Sequence, residues 1–202
     1  LHLSTRRQRQ MCIRDSFVPF DKRAVAFDPV LLLSQGSPVE SPLCYNISIL
    51  NRAHLTITLR PHQRKAVNAM WQNDKGQVII PTGGGKTICM IDDAITNMEV
   101  RHHGQTFVVV APRILLAEQL CKEFLELLSP GHNAHVMHVH SGDVEFFHTT
   151  NPEQIHLFAN TARTAGENCI IFTTYHSLHK VQQADIEVNT IYFDEAHNSV
   201  QR

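Results

Sequence analysis

The sequence predicts an α/β fold in which a parallel β-sheet carries helices on both faces. Three observations lead there. Short apolar runs alternate with segments of helical period; the glycine-rich turn Pro81–Thr87 lies directly between a strand and a helix; and the apolar run Thr190–Phe193 leads straight into Asp194-Glu195. Composition permits a core, with 43% hydrophobic and 18% charged residues among 202, unlike a disordered chain. No apolar run approaches the roughly 18 residues of a membrane-spanning helix, so no membrane partner is expected. A signal-type apolar stretch is not found at the start either.

In chain order, residues 1–16 stand apart. Arg6, Arg7, Arg9 and Arg14 share them with one acid, Asp15, and Met11–Ser16 resembles translated sequencing-adaptor read-through. A solvated basic tail or a true start at Met11 are the alternatives, and the expectation is an artefactual or disordered segment outside the fold. Four of the 18 basic and one of the 19 acidic residues fall there, so a whole-chain charge of −1 becomes −4 for 17–202. Residues 17–58 form an arm punctuated by Pro19, Pro29, Gly36, Pro38 and Pro42, with Tyr45–Leu50 and His54–Leu59 alternating enough for a short hairpin.

From Leu59 the pattern is regular. Pro61 suits a first helical position, and Gln63, Ala66, Val67, Met70 and Trp71 share a helical face. Gln77–Ile80 reads as a short buried strand, followed by a helix with Ile88, Ile91, Ile95 and Met98 inward. Thr106–Val110 is a second strand, and the helix after Pro112 buries Leu116, Leu120, Phe124 and Leu127. Ala134–Val139 is a third strand. Asn151-Pro152-Glu153-Gln154 supplies an N-cap, a proline at the first position and a capping-box glutamine for the next helix. Cys169–Phe172, a short helix over 176–183 and Thr190–Phe193 complete the alternation.

Two motifs carry chemistry. In Pro81-Thr82-Gly83-Gly84-Gly85-Lys86-Thr87 the glycines let the backbone curl so that successive N–H groups face a phosphate, aided by the positive end of the following helix. Lys86 would reach the β- and γ-phosphates of a nucleotide and the Thr87 hydroxyl would ligate Mg2+. Ile80 stands where the usual P-loop pattern has its first glycine. At the other motif, a strand ending in Asp194 and Glu195 puts two carboxylates on the carboxyl edge of the sheet, where ligands bind in such folds. Asp194 would hold Mg2+ through its water shell, and Glu195 would orient or deprotonate an attacking water.

Together these motifs resemble the superfamily 2 helicases and translocases, of DEAD/DEAH-box type: Thr82–Thr87 as motif I and Asp194-Glu195-Ala196-His197 as motif II. The resemblance covers 59–202 and implies a P-loop NTPase fold, the first RecA-like domain, ending shortly after motif II. In that family the first P-loop glycine is often absent, so Ile80 is no anomaly. Three shorter matches fall in the same order. Leu59–Gln63, with Gln63 placed 23 residues before Lys86, looks like the adenine-reading segment and implies Gln63 as an ATP contact. Val110-Ala111-Pro112-Arg113 with Gln119 is similar to motif Ia, and Phe172–Tyr175 to motif Ib, implying nucleic-acid contacts at Arg113 and at Thr173 or Thr174. The Ala-Pro-Arg of motif Ia shifts the likeness toward restriction-subunit-like and phage-type helicases, with DNA favoured over RNA. By the same analogy His197 helps couple the nucleotide site to a second RecA-like domain, which supplies arginine fingers.

The expected function is therefore an ATP hydrolase: a motor domain using ATP and Mg2+ to move on nucleic acid. A P-loop ATPase with no unwinding role and a regulatory nucleotide-binding module are the alternatives. Net charge does not oppose the reading, because a single strand is held largely by backbone N–H groups, hydroxyls and a few cations. Five scattered cysteines without a Cys-x-x-Cys pair suit reduced thiols and a cytoplasmic setting. Three further features read as structural. His132, His135, His138 and His140 do not converge, since alternation sends His135 to the opposite face from His138 and His140. Asp92-Asp93 reads as a polar helix face, and nothing near Cys89 suggests an activated thiolate.

Overall fold

The computed structural model describes residues 23–26, 58–81, 83–101 and 104–196. The expected tail, the hairpin at 45–50 and 54–57, and two site residues, Thr82 and His197, lie outside them. Among the described residues the strands are β1 (Arg23–Ala26), β2 (Lys75–Gln77), β3 (Thr106–Ala111), β4 (Ala134–Val139), β5 (Asn168–Thr174) and β6 (Thr190–Phe193). The helices are α1 (Pro61–Gln72), α2 (Lys86–Val100), α3 (Ile114–Leu127), α4 (Pro152–Thr164) and α5 (Leu178–Gln183). The strands form one sheet in the order β2-β1-β6-β3-β5-β4, and every pairing is parallel. No described helix is long and apolar enough to cross a membrane.

Period-two alternation divides the core. Phe107, Val109, Ile170, Phe172 and Tyr192 face α1, α2 and α3, whereas Val108, Val110, Ile171 and Ile191 face α4 and α5. Both faces of β3 and β5 are thus covered, which explains why these strands read as unbroken apolar runs. Helix α4 starts as the sequence implies, with Asn151 Oδ1 accepting from Glu153 N at 2.9 Å. Its capping glutamine works through a relay: Thr149 Oγ1 accepts from Asn151 N and donates to Gln154 Oε1.

The structure corrects three expectations. The strand before the glycine turn is Lys75–Gln77, not Gln77–Ile80, because its ladder ends with the β1 register at Ala26↔Gln77. Val78–Ile80 continues unpaired along α1, leaving Ile79 52% exposed while Ile80 is buried. Trp71 lies at the solvent margin of α1 rather than on its buried face. Asp93 is not on a polar helix face. It is fully buried, and its Oδ2 accepts a 2.7 Å hydrogen bond from the Tyr192 hydroxyl of β6. Asp92, beside it, is half-buried, and burial followed by the charge of Asp93 raises its pKa.

The histidines divide as alternation requires. His135 Nε2 meets Glu167 Oε2 at 2.5 Å on one face. On the other face His138 stacks between Phe146 and Phe172, and its Nδ1 lies 3.0 Å from His140 Nε2. Because Gly142 N–H points at His140 Nδ1 (3.3 Å), that nitrogen is the acceptor. His140 then donates from Nε2 to His138. Burial, then the neighbouring histidines, lowers His138 well below the usual value of 6.5, and burial with His148 lowers His140 to about 4.

Two outcomes follow from these contacts. Asp93→Ala removes the buried hydrogen bond to the Tyr192 hydroxyl, so it costs about 1–3 kcal/mol in urea denaturation. A double-mutant cycle with Tyr192→Phe should show coupling of at least about 0.5 kcal/mol. The His138–His140 pair is held neutral in the fold while the unfolded chain takes up protons near 6.5. Stability is therefore full above that pH and falls as pH drops toward 4, a slope that His140→Gln should reduce in urea midpoints measured across that range.

Candidate functional site

The glycine turn is built by close approach. Gly85 is left-handed (φ 78°), and a Cβ there would lie 2.3 Å from Gln63 Nε2. A Cβ on Gly84 would fall 2.9 Å from the Pro81 carbonyl oxygen, which accepts the Gly84 N–H at 2.8 Å. Only glycine fits either place. Gly85 is also the N-cap of α2 and provides no side-chain cap, so the first N–H groups of the helix point out of the turn as donors. Lys86 and Thr87 open that helix and are both buried.

Gln63 braces this turn from α1. Its Oε1 accepts from Arg60 N (2.8 Å) and its Nε2 donates to Gly84 O (2.9 Å), while His62 Nε2 approaches the same carbonyl at 3.0 Å. Both ends of the Gln63 amide are therefore engaged by backbone. Cys89, one turn into α2, has its thiol pushed up to about 12 by burial and then by the charge of Asp92. It is not an activated nucleophile.

The acidic turn sits at the carboxyl end of β6, the same sheet edge as the glycine turn. The Tyr192–Asp93 bond ties α2 to this strand two residues before Asp194. Asp194 is fully buried, and among the described residues neither carboxylate oxygen has a hydrogen-bond partner. Its backbone is fixed on both sides: its N–H donates to Val110 O (2.8 Å) and its carbonyl accepts from the Tyr175 hydroxyl (2.6 Å). Glu195 follows in a left-handed conformation, φ 44°, uncommon for a residue with a side chain.

An oxygen-only set of one hydroxyl (Thr87) and one orphaned carboxylate (Asp194) suits a hard cation such as Mg2+, which keeps several waters and takes few protein ligands. Among the described residues no cluster of three or more His, Cys, Asp or Glu side chains could hold a metal ion.

The other expected residues lie on neighbouring strand ends. Arg113 is exposed as the N-cap of α3 after β3. Thr173 is buried and donates to Val139 O (2.8 Å), and Thr174 Oγ1 accepts from Ser177 N (3.3 Å). Both hydroxyls are turned into the fold. Two contacts have no signature in the sequence: Tyr192 with Asp93, 99 residues apart, and Tyr175 with Asp194. Tyr192 sits in an apolar strand, and Tyr175 falls in the motif Ib match without any sign of a partner at Asp194.

Known proteins agree with this architecture. The family described as Type III restriction enzyme, res subunit, matches residues 56–202. The chain is 36% identical over 80 residues to the ATP-dependent helicase SGS1 of Saccharomyces cerevisiae, covering 38% of this chain and 5% of that protein. Its fold is similar to that of a nuclease-deletion mutant of the Type ISP restriction-modification enzyme LlaGI, solved in complex with a DNA substrate mimic. That likeness has a TM-score of 0.58 at 17% identity and covers 69% of this chain and 17% of the other. The chain thus spans a small part of these relatives' length. With the family match running over most of its residues and a parallel sheet presenting a glycine turn and an acidic turn on one edge, the chain belongs to the type III restriction enzyme res subunit family and forms a RecA-like domain of superfamily 2 helicase type.

Proposed function

We propose that the chain binds Mg-ATP between the glycine turn and the acidic turn and is the hydrolytic half of a motor that moves on nucleic acid. The observation that carries this reading is the Asp194 carboxylate, buried without a hydrogen bond at the sheet edge toward which α2 points its N-terminus. In the proposed mechanism, Gly83, Gly84, Gly85 and the first N–H groups of α2 cradle the phosphates, with Thr82 completing the turn. Lys86 places its charge against the β- and γ-phosphates. Thr87 and Asp194 would hold Mg2+, which when bound neutralises charge on the phosphate oxygens. Glu195 orients the attacking water and takes its proton. A Gln63 contact to adenine requires exchanging one of its two backbone hydrogen bonds.

The loops after β3 and β5 face the same edge and form the proposed strand-binding side. Arg113 offers the charge there. With their hydroxyls engaged, Thr173 and Thr174 contribute through the shape of the turn and its backbone N–H groups. Both relatives favour this reading, one being an ATP-dependent helicase and the other solved with a DNA mimic; the second favours DNA. A second RecA-like domain, coupled through His197, would supply the arginines of the opposite wall.

Calorimetric titration of ATP tests the reading. Lys86→Ala should weaken Mg-ATP binding at least about tenfold, whereas Glu195→Gln should bind within about threefold of the unmodified chain while losing any turnover. The 202 residues alone should bind nucleotide weakly and hydrolyse it negligibly. Robust turnover by them, stimulated by single-stranded DNA, contradicts the need for a second domain.

A further inference from the structure

We propose that Tyr175 is the positioning residue that holds the Asp194 carboxylate in its cation-binding place. The proposal rests on the reading of Asp194 as a Mg2+ ligand. Tyr175 ties together the carboxyl ends of three strands. It follows β5 directly, its N–H donates to Ala111 O at the end of β3 (3.2 Å), and its hydroxyl donates to the Asp194 carbonyl at the end of β6 (2.6 Å). Its ring stacks on Phe193 with centroids 6.1 Å apart and planes 20° apart, so the hydroxyl is aimed by packing as well as by the backbone.

The acidic turn needs such a tie. The Asp194 side chain accepts no hydrogen bond that could fix it, so its place is set by its backbone. On the far side Glu195 sits at φ 44°, a conformation that persists only when neighbouring contacts enforce it. The Val110 contact holds the N–H of Asp194, and the Tyr175 hydroxyl holds its carbonyl. Without that hydroxyl, the Asp194 carbonyl loses its hold and the turn that carries both carboxylates loosens. Tyr175 touches neither nucleotide nor metal in this scheme. It acts through Asp194.

Tyr175→Phe keeps the ring stack and removes only the hydroxyl. The test is calorimetric titration of the full 202-residue chain with ATP, once in excess Mg2+ and once in chelator. The unmodified chain should bind ATP more tightly with Mg2+. In Tyr175→Phe that Mg2+ enhancement should fall about fivefold, while affinity in chelator stays within about twofold. An unchanged enhancement in the variant overturns the proposal, as does an equal loss in chelator, which would mark Tyr175 as merely structural. An unmodified chain that binds ATP equally with and without Mg2+ overturns the metal role of Asp194 and this proposal with it. No ATP binding under either condition overturns the nucleotide-binding reading itself.

Discussion

The Asp194 carboxylate, sealed at the end of β6 with neither oxygen hydrogen-bonded among the described residues, is the constraint around which the carboxyl edge of the sheet is organised. Burying an ionised carboxylate without compensation costs several kcal/mol. The surrounding fold therefore has to hold it there by backbone geometry: the Val110 contact to its N–H, the Tyr175 contact to its carbonyl, and the parallel ladder of β6 between β1 and β3. The Mg2+ of the proposed function would be the counterpart of such a group.

The glycine turn answers the same requirement from the opposite side. Its curl is enforced by Gln63 and Pro81, which leave no room for a Cβ on Gly84 or Gly85. Helix α2 then starts with uncapped N–H groups and with Lys86 and Thr87 in its first turn. This helix is joined to the acidic strand by apolar packing around Tyr192 and by a buried hydrogen bond from Tyr192 to Asp93. The glycine turn and the carboxylate are thus linked through the core beneath them.

Much of this was legible in the sequence because its signals are local. Strand β4 and strand β6 have the expected bounds, and Asn151-Pro152 starts α4 as capping chemistry requires. The glycine turn and the Asp-Glu pair are recognisable since each depends on a few consecutive residues. Long-range pairings between side chains were not legible. Asp93 looks like one half of a polar helix face until Tyr192 is placed above it, and Tyr175 reads as the end of the motif Ib match until its hydroxyl meets Asp194. The strand before the glycine turn was misplaced because Val78-Ile79-Ile80 has high β-propensity, yet the partner strand ends at Ala26.

The most direct measurement is the urea stability of the unmodified chain and of Asp194→Asn, each in chelator and in saturating Mg-ATP. If Asp194 is a buried charge kept for a cation, the variant should be more stable than the unmodified chain in chelator, by about 1–3 kcal/mol. That order should reverse in Mg-ATP, because only the carboxylate gains a bound partner. A variant less stable in chelator would contradict the account, for it would mean that Asp194 already has its partners within the fold.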